Sequence, residues 1–471
     1  MARLTVAEAT EAVGGRLMAG DPHAVIDGAA IDSRAVRGGE AFFAFPGAVV
    51  DGHRFVADAL ARGAAAAIIQ EDIQEDVAAS PSGVLIRVED TFRALHDLAR
   101  RVRTRVPQKL VGITGSAGKT TTKELLGAIL AARFKVSWTP GNLNNLYGFP
   151  LSLLNVPDGT EWMVAEMGMS TPGELRQLSL LGRPDAAVFT VVRPVHLEFF
   201  SSVQAIAEAK SEILAGLAPD GFVVANADDP EVSRIAKRHG ARVVWYGIHS
   251  ERADVRARNL KSEPDAIGSR FVLEAGGQSQ EVRLPLHGLY NVENCLAAAA
   301  CAWALGLPLG EIAAAVATVR PAAMRGVVHQ AAAGYTLVDD SYNSNPDALD
   351  KALASAGTLA GCRRVAVLCD MRELGPEAPR FHREAGEQAA RLGFSPVVAV
   401  GELSRELAAG ARAGGAESVW LPDAAAAADW AAGELRQGDV VLVKASRGVG
   451  LDRVVKRLLG NVSDGNEAGV H

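Results

Sequence analysis

The chain alternates short apolar runs with longer amphipathic, alanine-rich stretches. From Leu4 to about Val88, β-like runs at Ala41 to Phe45, Ala65 to Ile69 and Gly83 to Ile86 alternate with helical patterns such as Phe55 to Arg62. That pattern predicts a small α/β domain over residues 1–88. A helical segment, Asp90 to Arg105, leads through Val106-Pro107 into the apolar strand Leu110 to Ile113. Strand-like runs recur at Trp162 to Ala165, Ala186 to Val191, Phe222 to Val224 and Arg242 to Trp245, with helical patterns between them. This order predicts a mostly parallel, doubly wound sheet in a central domain over 89–322. After Arg320-Pro321 the alternation resumes at Thr336 to Val338, Arg364 to Leu368, Pro396 to Val400 and Val440 to Val443, each followed by a helix. A Rossmann-like C-terminal domain over 323–471 follows, with a polar tail from Val462 to His471 that frays. The expected fold class is α/β in three domains.

Composition narrows the function classes. At 471 residues the chain exceeds one core and suggests about three domains. Hydrophobic residues at 48% and charged residues at 22% make it foldable throughout, without the signature of disorder. A formal net charge of -7 leaves no basic footprint, so nucleic acid is discounted as a partner. The longest apolar stretches, such as Cys295 to Leu307, fall short of the roughly 20 residues that span a bilayer. Met1 to Ala7 has no signal-peptide pattern, so a cytoplasmic protein without membrane insertion is expected. A monomer is the expected state. Cys295, Cys301, Cys362 and Cys369 sit in apolar runs without metal-ligand spacing and read as reduced core residues.

The strongest chemical signal follows the strand Leu110 to Ile113. Thr114-Gly115-Ser116-Ala117-Gly118-Lys119-Thr120-Thr121 precedes a helical pattern from Lys123 to Ala132. A strand, a glycine turn and a helix N-terminus aim backbone N–H groups and the positive end of the helix dipole at an anion. Lys119 supplies a point charge for the outer phosphates and Thr120 a magnesium ligand. The loop is a variant of G-x-x-x-x-G-K-[ST], because Ile113 stands at the first glycine position. Against a mere glycine turn with a solvated lysine stand both flanking elements and the Lys-Thr pair.

Strand Trp162 to Ala165 ends in Glu166, and His196 follows Ala186 to Val191 at some distance. Strand C-termini of a parallel sheet converge on the crevice beside such a loop, where Thr120 and Glu166 suit magnesium. Taken singly, a glutamate or histidine of this kind is more often structural. Lys210, in the helical run Ala205 to Ala215, reads by itself as a solvated surface lysine.

Together these residues resemble the Mur ligase family, ATP-dependent amide ligases of peptidoglycan precursor synthesis, over essentially the whole chain. The resemblance implies that Gly115, Ser116, Ala117, Gly118, Lys119, Thr120 and Thr121 bind ATP with Asn226, Asn291, Asn294, Arg325 and Asp340. It implies two magnesium ions at Thr120, Glu166, His196 and Lys210, the last carbamylated so that a cation becomes an oxygen ligand. Lys119, His196, Lys210 and Arg325 become the catalytic set, with Arg325 swinging onto the transferred phosphate from the C-terminal domain. Asp339-Asp340-Ser341-Tyr342-Asn343-Ser344-Asn345-Pro346 is similar to the D-D-x-Y-N-x-N-P signature of the branch that adds D-alanyl-D-alanine to UDP-MurNAc-tripeptide. The D-N-P-R-type motif of the sister branch is absent. Ser33, Arg34, Asn142, Asn144, Asn145, Tyr342, Asn343 and Asn345 are the implied substrate contacts. Asp51-Gly52-His53, Asp370-Met371-Arg372-Glu373-Leu374-Gly375 and Lys444-Ala445-Ser446-Arg447-Gly448 resemble further family segments.

The chain also departs from the family. Thr190-Val191-Val192-Arg193-Pro194-Val195-His196 stands where T-N-I-G-x-A-H is usual. Cys369 and Ala445 each replace a usual glycine, and Leu146-Tyr147 replaces an acidic-aliphatic pair. These bear on local geometry, not on the activity class. The rival readings are another Mur-type or folylpolyglutamate synthase-like ligase, against which Asp32-Ser33-Arg34 argues, and a P-loop nucleotide switch.

Overall fold

The computed structural model describes residues 3–47, 50–71, 83–195, 197–262, 267–446 and 448–460. His196, Arg447 and the predicted tail lie outside them.

The first sheet is built from β2 (Arg16–Ala19), β4 (Ala29–Ala30), β5 (Ala41–Phe43), β6 (Ala66–Ile69) and β7 (Leu85–Arg87) in the order β2-β7-β6-β5-β4. β1 (Leu4–Thr5) and β3 (Val25–Ile26) form a separate antiparallel pair. β5 is two residues shorter than expected: past Ala44, whose N–H still donates to Ile68 O at 3.0 Å, the chain turns away and Phe45 O accepts instead from Gly52 N–H at 2.8 Å. Helix α1 (Thr91–Arg105) starts where Asp90 caps it, accepting from the N–H groups of Phe92 and Arg93 at 2.7 and 3.0 Å. Its buried face, including Leu95, Leu98 and Val102, joins a core shared with residues of the central sheet such as Leu110 and Phe189.

That central sheet has nine strands: β8 (Lys109–Thr114), β9 (Val136–Trp138), β10 (Trp162–Glu166), β11 (Ala186–Phe189), β12 (Phe222–Asn226), β13 (Arg242–Gly247), β14 (Val255–Ser262), β15 (Ser269–Ala275) and β16 (Gln278–Leu284). Their order is β16-β15-β14-β13-β12-β11-β8-β10-β9, parallel from β9 to β14. The apolar-run pattern missed the antiparallel meander β14–β16, because its strands alternate buried with exposed polar residues. A signal was present in Gly276-Gly277. Both have positive φ, 57° and 76°, and they join paired Ala275 and Gln278 in a two-residue hairpin. β11 ends at Phe189, not Val191, because Thr190 turns into the phosphate loop, its Oγ1 donating to Ala117 O at 2.6 Å. The sheet's far face is covered by α2 (Lys119–Ala131) and the alanine-rich α3 (Leu289–Ala304). No described helix is long and apolar enough to cross a membrane.

The third sheet is β17 (Val327–Gln330), β18 (Thr336–Asp340), β19 (Arg363–Cys369), β20 (Phe394–Val400), β21 (Ser418–Leu421) and β22 (Asp439–Lys444), ordered β17-β18-β22-β19-β20-β21. All pairs are parallel except the edge strand β17, which the apolar pattern did not predict. Cys295, Cys301 and Cys369 are buried thiols, but Cys362 is exposed, since it precedes β19 instead of lying in it.

Helices Ala378–Arg391 and Ser404–Ala413 cross backbone to backbone. A Cβ on Gly386 would lie 2.0 Å from Leu407 O, and one on Gly410 would lie 2.0 Å from Arg383 O. Helix propensity alone favours Gly410→Ala by up to about 1 kcal/mol, whereas forcing two packed backbones apart costs about 1–3 kcal/mol. The variant is expected to unfold at lower urea concentration than wild type. A midpoint equal to or above wild type would show that the crossing is not tight.

Candidate active site

β8 lies inside the sheet between β10 and β11, so its C-terminus opens at the centre of the crevice. The chain leaves it through Gly115 and Gly118, at φ 152° and 82°. A Cβ at Gly115 would meet Thr190 Oγ1 at 1.8 Å and one at Gly118 would meet Asn294 Oδ1 at 2.1 Å, so only glycine fits either place. Ile113 is fully buried in β8, which shows why no glycine is needed there: the turn begins only at Gly115. α2 starts at Lys119, a full turn earlier than the expected Lys123, directly after the left-handed Gly118. Its first N–H groups therefore face the crevice.

Lys119 folds back over the loop, its Nζ donating to Gly115 O at 2.9 Å. Burial pushes its pKa below the usual lysine value; the nearby Glu166 carboxylate opposes that shift and Arg325 adds to it. Glu166, the last residue of β10, is 3% exposed. Its two oxygens are both used: Oε2 accepts from Thr120 Oγ1 at 2.7 Å and Oε1 accepts from Asn144 Nδ2 at 2.7 Å. Arg325 Nη2 in turn donates to Thr120 Oγ1 at 3.0 Å, and its guanidinium lies 3.9 Å over the Tyr342 ring. The arginine comes from the segment between α3 and β17, so a hydrogen-bonded line runs from the domain junction through the loop threonine to the strand-end carboxylate.

Lys123, which the sequence reading passed over, holds the Asn144 loop in place. It is fully buried, and its ammonium donates to the carbonyls of Thr139 and Gly141 at 2.6 and 3.2 Å. Its only sequence signal is spacing, three and four residues after Thr120 and Lys119, on the same inward helix face.

Lys210 is the sharpest correction to a single-residue reading. It lies on Val203–Ser211, 2% exposed, and not on the surface. Burial drives its pKa well below the ordinary lysine value, and the like charge of Lys119 pushes the same way.

Lys119, Thr120, Asn144, Glu166, Arg325 and Tyr342 border a cleft of about 480 Å³, whereas Lys123 and Lys210 are buried behind it and do not line it. Ser116 to Thr121, Asn142, Asn144, Asn145, Glu166, Asn294, Arg325, Asp340, Tyr342, Asn343 and Asn345 all line it. So do Glu293, Lys351, Arg372, Glu373 and Lys444, which were not among the expected site residues. Lys444 Nζ donates to Asp340 Oδ2 at 2.6 Å and Asn343 O at 2.9 Å. Asn226 and Asn291 are not on the cleft. Each is 3% exposed with its amide in local bonds, Asn226 Oδ1 accepting from Asp228 N–H and Asn291 Nδ2 donating to His287 O. Asn145 and Asn345 reach the cleft, but their side-chain oxygens accept from the starts of the following helices. Ser33 and Arg34 sit on the first sheet's domain, away from the cleft, with Arg34 paired to Asp32 at 2.7 Å.

Comparison with known proteins matches three family models along the chain: the Mur ligase family catalytic domain over 25–103, the Mur ligase middle domain over 113–302 and the Mur ligase glutamate ligase domain over 324–447. A relative from Escherichia coli (strain K12), UDP-N-acetylmuramoyl-tripeptide--D-alanyl-D-alanine ligase, is 34% identical over 86% of this chain and 88% of its own. The crystal structure of MurF from Acinetobacter baumannii superposes with a TM-score of 0.85 at 29% identity, covering 97% of this chain and 99% of that one. MurF ligase from Thermotoga maritima, solved in complex with ADP, gives a TM-score of 0.78 at 28% identity over 92% of this chain and 97% of that one.

One buried histidine holds part of the cleft wall. His382 Nε2 accepts from Met371 N–H at 2.8 Å, which leaves Nδ1–H to donate to Ala378 O at 2.6 Å, and Met371 precedes the lining residues Arg372 and Glu373. Burial lowers its pKa from 6.5, so the folded chain keeps the ring neutral. Its stabilisation is complete above 6.5 and is lost as pH falls below it, because the unfolded chain then binds the extra proton. The urea midpoint is expected to fall between about pH 7.5 and about pH 5.5, less steeply for His382→Gln than for wild type. Identical pH slopes for the two proteins would contradict this.

Proposed function

The chain belongs to the Mur ligase family, and from that membership we infer that it is the ATP-dependent ligase that joins D-alanyl-D-alanine to UDP-N-acetylmuramoyl-tripeptide. The observation that supports this reading best is the line Arg325–Thr120–Glu166, in which a side chain at the junction with the closing domain reaches the phosphate loop. A nucleotide switch has no need of that geometry. An enzyme that must shield an acyl phosphate from water does.

The terminal carboxylate of the tripeptide attacks the γ-phosphorus of ATP, the bond to the β-phosphate oxygen breaks, and ADP leaves. The free amine of D-alanyl-D-alanine then adds to the acyl carbon, loses a proton, and expels inorganic phosphate. Lys119 and Arg325 neutralise charge on the phosphoryl group in flight, so the protein contributes position and electrostatics and no nucleophile. In this scheme the N-terminal domain, with Ser33 and Arg34, holds the UDP-sugar. Asn142 and Asn144 meet the peptide, and Tyr342 and Asn343 meet the incoming dipeptide.

Thr120 Oγ1 and the Glu166 carboxylate fit magnesium, since hard oxygen donors suit it and both already converge within hydrogen-bond distance. Magnesium, when bound, offsets phosphate charge. We place His196 and a carbamylated Lys210 in the same set. The depressed pKa of Lys210 supports this chemistry: only a neutral amine adds to carbon dioxide, and loss of one proton then leaves an anionic carbamate.

Phosphate release is expected only when ATP, UDP-MurNAc-tripeptide and D-alanyl-D-alanine are all present. Slow release indifferent to the dipeptide would favour the nucleotide switch instead.

Lys210→Ala is expected to be nearly inactive and to be partly rescued by short-chain carboxylic acids, which refill the space with oxygens. A mass increase on the intact protein under non-acidic conditions would report the carbamate directly. Full activity of Lys210→Ala in carbonate-free buffer would remove the residue from the mechanism.

A further inference from the structure

Arg193 stands where the family usually has glycine, and its side chain bonds to two domains at once. Nη1 donates to Asp229 Oδ2 at 2.6 Å on the central domain, and Nε donates to Asp347 Oδ1 at 2.9 Å on the C-terminal domain. Asp229 is 1% exposed and is held by its own fold, with Oδ1 accepting from Glu231 and Val232 N–H and Oδ2 also accepting from Val192 N–H. The guanidinium is therefore anchored on one side before the other domain arrives. Its main chain is tied to the phosphate loop: Arg193 N–H donates to Ser116 Oγ at 2.9 Å, Ser116 Oγ–H donates to Arg193 O at 3.0 Å, and Ser116 N–H donates to Val191 O at 2.7 Å.

Asp347 lies in the first turn of helix α4 (Pro346–Ala356), directly after the cleft-lining segment Asp340 to Asn345. One turn further on, Lys351 lies 3.5 Å from Asp347 and pairs with Glu293 of the central domain at 3.3 Å. Charge thus alternates Asp229, Arg193, Asp347, Lys351, Glu293 across the domain boundary. With side-chain exposures of 31% for Arg193 and 19% for Asp347, the pair is sheltered enough to exceed an open surface ion pair.

We infer that Arg193 is a positioning residue for phosphoryl transfer, latching the C-terminal domain to the phosphate loop so that Tyr342, and with it Arg325, is held over the nucleotide. This rests on the ligation reading above. A planar guanidinium meets two carboxylates through two nitrogens, whereas glycine offers no such link.

The test is a double-mutant cycle on the full chain with Arg193→Ala, Asp347→Asn and the pair together. Asp347→Asn leaves the Asp229 cap untouched, so it reports on the latch even if Arg193→Ala fails to fold. Turnover at saturating substrates is expected to fall about ten- to a hundredfold in each single variant, with KM for ATP within about twofold of wild type. The double variant should be no slower than Arg193→Ala, because both remove one link. X-ray scattering with UDP-MurNAc-tripeptide and a non-hydrolysable ATP analogue with magnesium should show wild type contracting and Asp347→Asn contracting less. Turnover of Asp347→Asn within about twofold of wild type, multiplicative losses in the double variant, or equal contraction would each overturn the latch. Failure of wild type to ligate would instead overturn the reaction reading, since scattering is read without turnover.

Discussion

A carboxylate removed from water has to be given partners in the protein, and Glu166 is the place where this chain meets that demand. Its 3% exposure leaves little solvent to help. Thr120 and Asn144 therefore turn their donors onto it, and its charge opposes the burial penalty on Lys119. These partners belong to two segments: Lys119 and Thr120 open α2, and Asn144 lies in the loop after β9. One anion at the end of β10 thus ties the start of that helix to that loop, and Arg325 joins through Thr120.

Charges of both signs surround that anion. Lys119, Arg325, Lys351, Arg372 and Lys444 line the same cleft against Glu166, Glu174, Glu293, Asp340 and Glu373, so the formal charges balance, and Asp340 is already engaged by Lys444. Lys210 is buried close enough to Lys119 for the like charge to lower its pKa further. The preference for a phosphate therefore comes from the phosphate loop itself, where Lys119 stands beside the fixed N–H groups at the start of α2. Folding charges together in advance of the ligand costs stability, which the extensive cores on both sides of the central sheet and within the C-terminal sheet offset.

Polar detail also decides how the domains meet. The junction is built from half-buried ion pairs and the Arg325–Tyr342 stack, a type of interface that tolerates opening and closing. Reversible closure is what a three-substrate ligation asks for, since each turnover admits and releases ligands.

The elements whose signal is local were legible along the chain. The parallel strands announced themselves as apolar runs because a buried parallel strand is apolar on both faces, and the phosphate loop did so because its turns at Gly115 and Gly118 leave no room for a Cβ. Asp90 marked a helix start because capping needs only the next few residues. The meander β14–β16 went unseen because a half-exposed strand is polar at every second position. Lys210 looked like a surface cation and Lys123 drew no notice, since burial is a property of what packs against a helix and not of its own sequence. Asn226 and Asn291 matched the family's asparagines, yet their amides are turned inward by neighbours. Arg193 could be noticed only as a departure from the usual glycine; that it joins two carboxylates 118 residues apart, at 229 and 347, was decided by how the domains dock. Chain-local sterics and hydrophobic period are written in sequence, whereas burial and long-range charge pairing exist only once distant segments share one space.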